Sequence, residues 1–178
     1  MADQNIQGDS SMSDLIQKLI EECRRIEEDA EHSSKGHYNA GDRWGRYHLF
    51  LGLPAAIVAA LAGAAAFKDC PDLAGGLALL STALTTVLTF LKPSERAEMH
   101  KSVGGQFHLL RNKTRIFREI ELTDGLDAET AKKRLLDLAR LRDELNMASP
   151  GIPRCDYEKA KRDIDSGRSR YQVDGAAR

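Results

Sequence analysis

Two stretches of this chain contain no Asp, Glu, Lys or Arg, and they stand almost back to back. Residues 47–67 read YHLFLGLPAAIVAALAGAAAF and residues 73–91 read LAGGLALLSTALTTVLTFL. As helices rising 1.5 Å per residue they would measure roughly 31 and 28 Å, close to a hydrocarbon core of roughly 30 Å. Neither carries the charged stripe that a helix on the surface of a water-soluble fold needs. The competing reading is a pair of buried helices in a soluble bundle, since eight of the 21 residues in the first run are alanine, which is only weakly lipophilic. The connecting segment Lys68-Asp69-Cys70-Pro71-Asp72 leaves room only for a tight turn. The expectation is an all-α fold built on a two-pass transmembrane helical hairpin.

The mean hydropathy of -0.43 would suit an ordinary soluble protein, but that average hides the concentration of apolar residues in the two runs. The formal net charge of -1 gives no excess of either sign that would point to nucleic acid. Residues 1–46 hold ten acids and six bases and no apolar run, so no cleavable signal peptide is expected. Three cysteines, Cys23, Cys70 and Cys155, lack CxxC spacing and fit neither a zinc site nor a disulfide framework.

The flanks set the orientation. Arg43 and Arg46 precede the first run, and Lys92, Arg96 and Lys101 follow the second, whereas the turn carries one Lys and two Asp. Basic flanks stay on the cytoplasmic side, so both termini are expected in the cytoplasm and the 68–72 loop outside. The organisation expected is a disordered 1–10, a cytosolic helical arm 11–46, the hairpin 47–91, a cytosolic helical region 92–167 whose helices bundle with the arm, and a flexible tail 168–178.

Small residues at every fourth position, Gly52, Ala56, Ala60 and Ala64 and likewise Ala55, Ala59 and Gly63 in the first run, and Ala74, Ala78, Thr82 and Thr86 in the second, predict the helix-packing faces, because close approach replaces the hydrophobic drive in lipid. Pro54 is expected to bend the first helix modestly near its start. Ser81, Thr82, Thr85, Thr86 and Thr89 form a hydroxyl stripe on the second helix. Each hydroxyl can bond its own i-4 carbonyl or the partner helix. The alternative is that the stripe lines a water-filled path, which a single hairpin cannot enclose and an oligomer can.

Outside the runs, Ser11-Met12-Ser13-Asp14 resembles a capping box. Leu15, Leu19, Cys23, Ile26, Ala30, Ser33, His37, Ala40 and Trp44 then recur at helical spacing, with a weak point at Gly36 and Gly41. Trp44 and Tyr47 suit the membrane interface. Pro93 can open a new helix or bend a continuous one, and Ala97, His100, Val103, Phe107, Leu110, Thr114 and Phe117 share a face beyond it. Thr123-Asp124-Gly125 marks a turn. A helix from about Asp127 would bury Ala131, Leu135, Leu138 and Leu145 and end before Pro150. A last one would run from Asp156 to Asp165 on Tyr157, Ala160 and Ile164 and stop at Gly167.

Arg111, Arg115 and Arg118 lie on one helical face and could hold a phosphate or an anionic partner. A solvated face paired with Glu119 and Glu121 is the plainer reading. The five histidines show no metal spacing; His48 and His100 fall near the cytoplasmic membrane face, where packing is their expected role. No catalytic constellation is legible, so no enzyme activity, cofactor or metal is expected.

The order of these features resembles the SLATT family, bacterial two-transmembrane effector domains associated with second-messenger nucleotide synthases and sensor domains. The residues that carry the resemblance are Trp44, His48, Gly52 and Pro54 in WGRYHLFLGLP, then Pro93, Arg96, Ala97 and His100 in FLKPSERAEMH. Phe107 and Leu110 in GGQFHLLR and Pro150, Pro153 and Tyr157 in SPGIPRCDYEKA complete it. The resemblance implies an oligomeric effector that permeabilises the bacterial inner membrane in a nucleotide-signalled antiphage system. Its implied partners are the lipid bilayer, further copies of itself, and a separate sensor protein or a nucleotide second messenger. A non-conducting membrane-anchored scaffold that recruits a cytosolic partner through its helices is the alternative.

Overall fold

In the computed structural model, residues 2–168 and 171 are described, with side chains from residue 12 onward. The described residues contain no strand and are helical apart from short turns and connections. Five α-helices follow one another: α1 (Ala2–Phe67), α2 (Pro71–Leu91), α3 (Pro93–Ile116), α4 (Ala128–Ala148) and α5 (Arg154–Asp165), with a π-helical turn, Phe117–Glu121, after α3. The chain divides into two compact units. One comprises the described residues up to Asn39 and from Ser102 onward, and the other Ala40–Lys101. Both α1 and α3 contribute to each unit.

Helix α1 begins earlier than the sequence suggested. The backbone is helical from Ala2, ahead of the expected start at Ser11-Asp14. Gly36 and Gly41 are not weak points either; α1 runs through them, and they mark close approaches. A Cβ on Gly36 would meet Ile152 Cδ1 at 3.0 Å, and one on Gly41 would meet Lys101 Cγ at 2.8 Å and the Ala97 carbonyl at 3.1 Å. Pro54 lies within α1 without ending it.

The first unit is organised by its buried apolar residues. Leu19, Cys23, Ile26 and Ala30 of α1 meet Phe107 and Leu110 of α3, Phe117 of the π turn, and Ala131, Leu135, Leu138 and Leu145 of α4. His37 stacks on Phe107 with ring centroids 5.7 Å apart, and Ser34 Oγ donates to the Gly104 carbonyl at 2.9 Å. The chain turns at residues 122–127, where Gly125 takes a positive φ of 82°. Asp127 then caps α4 by accepting from Thr130 N at 3.0 Å, which holds its carboxyl below the ordinary aspartate range. Helix α5 buries Ala160 and half-buries Ile164, as expected, but Asp156 is buried beside them and Tyr157 is exposed. The Asp156 carbonyl accepts from Asn39 Nδ2 at 3.2 Å. Gly167 stops α5 with a φ of 75°. The expected flexible tail 168–178 lies outside the described residues except for Arg168 and Tyr171.

In the second unit the apolar part of α1 and α2 lie side by side. Only Lys68, Asp69 and Cys70 connect them, with Asp69 in the left-handed region at φ 55° and Pro71 opening α2, a shorter turn than the 68–72 expected. Lys92 ends α2 in the left-handed conformation, its N–H bonding the Leu88 carbonyl at 2.9 Å, and Pro93 begins a separate helix. The two helices are long and apolar enough to cross a membrane.

Candidate functional site

The contact seam between α1 and α2 determines which side chains remain for other work. On α1 the least exposed positions are Leu51, Ala55, Val58, Ala62 and Ala65, and on α2 Ala74, Leu77, Ser81, Leu84 and Leu88. Both series alternate steps of three and four, a 3.5-residue repeat of the kind that left-handed helix pairs use. Ser81 Oγ donates to the Ala55 carbonyl at 3.0 Å across this seam, and Leu88 Cδ1 would lie 3.7 Å from a Cβ on Gly52. The predicted small residues divide between the seam and the outer surface. Gly52 and Ala74 lie at the seam, whereas Ala56, Ala60, Ala64 and Ala78 point away from it and are exposed. A row of every fourth residue drifts around a helix with 3.6 residues per turn, so such a row leaves the partner after one or two turns.

The hydroxyl residues sit together on the edge of α2 that adjoins the seam, with Ser81 shared between the two. Ser81, Thr82, Thr85, Thr86 and Thr89, with Phe90, line an open groove of about 420 Å³. Thr82, Thr85, Thr86 and Thr89 donate to the carbonyls of Ala78, Ser81, Thr82 and Thr85 at 2.7–2.9 Å. Each hydroxyl proton is thereby occupied within the helix, while the oxygen keeps acceptor capacity towards the groove. The face is mildly polar, uncharged and acceptor-rich, a chemistry that tolerates both lipid and water.

A collar of aromatic and basic residues surrounds the base of the same two helices. Arg96 lies over the Trp44 ring, 5.0 Å from its centroid, and its Nε donates to the Leu91 carbonyl at 2.9 Å, satisfying one of the last carbonyls of α2. Trp44 meets Tyr47 edge to face at 5.7 Å, and Arg43 lies 6.0 Å from the Tyr47 centroid. Pro93 and His100 are buried, and Lys101 pairs with Asp42 at 3.1 Å. His48, Pro93 and Lys92 line a shallow depression of about 280 Å³. The residues of the sequence motif, Trp44, His48, Pro93, Arg96 and His100, thus all fall in one unit near one end of α2; Pro54 lies further along α1, exposed.

The three arginines of α3 and the π turn have separate environments. Arg118 makes a two-pronged pair with Glu27, Nε to Oε1 at 2.7 Å and Nη2 to Oε2 at 3.1 Å, and both side chains are mostly buried. The carboxylate holds the guanidinium pKa above its ordinary value. Arg111 pairs with Glu31 at 3.3 Å, also mostly buried. A solvated face paired with Glu119 and Glu121 is therefore corrected: the principal partners are on α1, although Glu119 also meets Arg118, and Glu121 pairs with Arg134. Arg115 lies 4.9 Å from the Tyr171 ring centroid and makes no ion pair among the described residues.

Burial pushes the Cys23 thiol up to about 12, with Glu27 adding to the shift, so it is no nucleophile at neutral pH. Cys70 and Cys155 are exposed. Among the described residues no cluster of His, Cys, Asp or Glu could hold a metal ion. The chain matches no known family, no curated protein and no solved structure.

Proposed function

We propose that the protein is a two-pass membrane protein, with both termini cytoplasmic, that assembles into oligomers and permeabilises the bacterial inner membrane. The observation that carries this reading is where the apolar side chains point. Of the most apolar 18 residues of α1 only 17% are buried, and α2 has no buried residue. Phe50, Leu53, Phe67, Leu79 and Phe90 are all exposed, at 63–92% of their surface. Exposed surface of that extent, on residues of two adjoining helices, is stable only against lipid or another apolar surface. The Trp44, Tyr47 and Arg96 collar is the composition that anchors helices at a headgroup layer.

Conduction needs more than one copy, and two surfaces are available for assembly. The outward row Ala56, Ala60 and Ala64 offers close approach to a neighbouring helix. The hydroxyl groove of α2 offers a face that an assembled ring could turn towards water. The first unit, with its own core, would remain in the cytoplasm as the part that receives a trigger, a sensor protein or a nucleotide signal. This is the role implied by the SLATT resemblance, an effector of antiphage defence.

The test is induced expression in cells carrying a membrane-potential dye. The expected outcome is depolarisation, abolished by Ala56→Leu on the outward row at unchanged protein level. Full membrane potential after induction and triggering contradicts conduction. It would leave the second reading, a non-conducting anchor, which the occupation of every threonine hydroxyl proton within the helix favours. That reading has its own signature: activity survives when both spans are replaced by unrelated ones.

A further inference from the structure

A cleft in the first unit combines cations and aromatic rings in a way that the proposed permeabilising role does not use. It measures about 310 Å³ and is lined by Lys35 and Tyr38 of α1, Arg111 and His108 of α3, and Arg168 and Tyr171 beyond α5, with Glu31 and Ser34 completing it. The volume falls at the lower end of small-molecule sites, about 300–1,000 Å³, which suits one ring and one phosphate rather than a larger ligand.

The charge of the cleft is not balanced internally. Arg111 is matched by Glu31 and Arg168 by Asp163 at 2.6 Å, but Lys35 and Arg115 make no ion pair among the described residues. Arg115 does not line the cleft but lies against Tyr171, which does. Its Nε is buried without a hydrogen-bond partner, and its guanidinium and that of Arg111 lie 4.9 and 5.6 Å from the centroid of the same Tyr171 ring. Two guanidinium groups gathered on one ring repel each other, and an anion between them and Lys35 would relieve that repulsion.

The second aromatic ring is placed by a glycine. A Cβ on Gly104 would come within 3.3 Å of the Tyr38 ring and 3.2 Å of the Ser34 carbonyl, so glycine lets this ring lie closer to the α3 backbone than a larger residue would. Tyr38 nevertheless remains 41% exposed. A tyrosine held flat against a helix, with open surface beside three cations, is a stacking platform.

We propose that this cleft binds a small organic phosphate bearing a planar ring, of the nucleoside monophosphate class, with the phosphate on Lys35, Arg111 and Arg168 and the ring against Tyr38. The site stands whether or not the apolar helices conduct, because every residue in it belongs to the first unit.

The test is equilibrium dialysis of the full chain in lipid nanodiscs against adenosine 5′-monophosphate, guanosine 5′-monophosphate, inorganic phosphate and adenosine. At least one monophosphate binds saturably and more tightly than inorganic phosphate, and adenosine binds weakest. Lys35→Ala, which breaks no ion pair among the described residues, weakens that binding about tenfold, the loss of one charge-assisted hydrogen bond. Tyr38→Leu weakens it by a similar factor, and Tyr38→Phe restores it, since stacking needs the ring and not the hydroxyl. Thermal unfolding of each variant verifies that the fold is intact. Three results overturn the assignment: no saturable binding of either monophosphate, inorganic phosphate binding as tightly as both, or binding indifferent to Lys35→Ala and Tyr38→Leu.

Discussion

The two units bury opposite things. In the first, Phe107, Phe117, Ile26 and Leu110 are almost wholly enclosed, and the charged residues lie around them. In the second, Phe50, Phe67, Leu79 and Phe90 face outward, while the interior of the α1–α2 seam is alanine, a serine hydroxyl and a few half-buried aliphatics. Water drives apolar side chains inward and rewards large ones in the core. Lipid removes that drive, so helices pack by small residues and leave large apolar ones outside. The second unit has the distribution that a lipid environment would favour, and the change occurs where charge disappears from the sequence, at Tyr47.

The comparison can be broken most forcefully by a charge on the outward face. Leu79 is 74% exposed, and in a water-soluble protein Leu79→Arg would be nearly neutral. If that face meets lipid, the substitution costs on the order of 3 kcal/mol of insertion free energy. The expected outcome is loss of the protein from the alkali-washed membrane fraction. Undiminished retention would put Leu79 in water.

A smaller effect sharpens the other half. Phe107, 1% exposed and stacked under His37, anchors the first unit, so Phe107→Ala should cost about 3–5 kcal/mol of its stability. Limited proteolysis should then cleave the first unit readily while the protein stays in the membrane fraction. Release from the membrane on this substitution would mean that the apolar helices do not insert on their own account.

The smallest expected effect is at the α4 cap. Asp127→Ala removes the acceptor of Thr130 N and should lower the melting temperature of the first unit slightly at neutral pH. Because the folded-state carboxyl titrates below its unfolded value, this stabilisation is present above the ordinary aspartate pKa and disappears as pH falls through the folded one. The variant and the parent protein should therefore converge in acid. A difference that persists there would assign the effect to something other than the carboxylate.

Legibility from sequence divides along the same line as the two units. The core face of α3, from Ala97 through Phe117, and the buried leucines of α4 were readable because large apolar residues at helical spacing leave few alternatives. The α1–α2 seam was not, because alanine occupies both the 3.5-residue and the four-residue rows, so composition does not distinguish the row that packs from the row left outside. The partners of Arg111 and Arg118 were hidden by distance, Glu27 being 91 positions from Arg118. The spacing gave no signal either: Glu27 and Glu31 stand four positions apart on α1, whereas the arginines they meet stand seven apart. Lys35, Tyr38, Arg168 and Tyr171 carried no local motif. Only the paired Gly104 and Gly105, which admit Tyr38 against α3, hinted that a bulky ring would lie there.

The central claim, that the two apolar helices cross a membrane with both ends of the chain on its cytoplasmic side, can be tested on the native cysteines alone. Cys70 lies in the turn between α1 and α2, Cys155 lies in α5, both are exposed, and Cys23 is buried. Treatment of sealed spheroplasts with a membrane-impermeant maleimide should label Cys70 at once, Cys155 only after permeabilisation, and Cys23 only after denaturation. Labelling of Cys155 in sealed spheroplasts, or protection of Cys70 until the membrane is broken, would contradict the account.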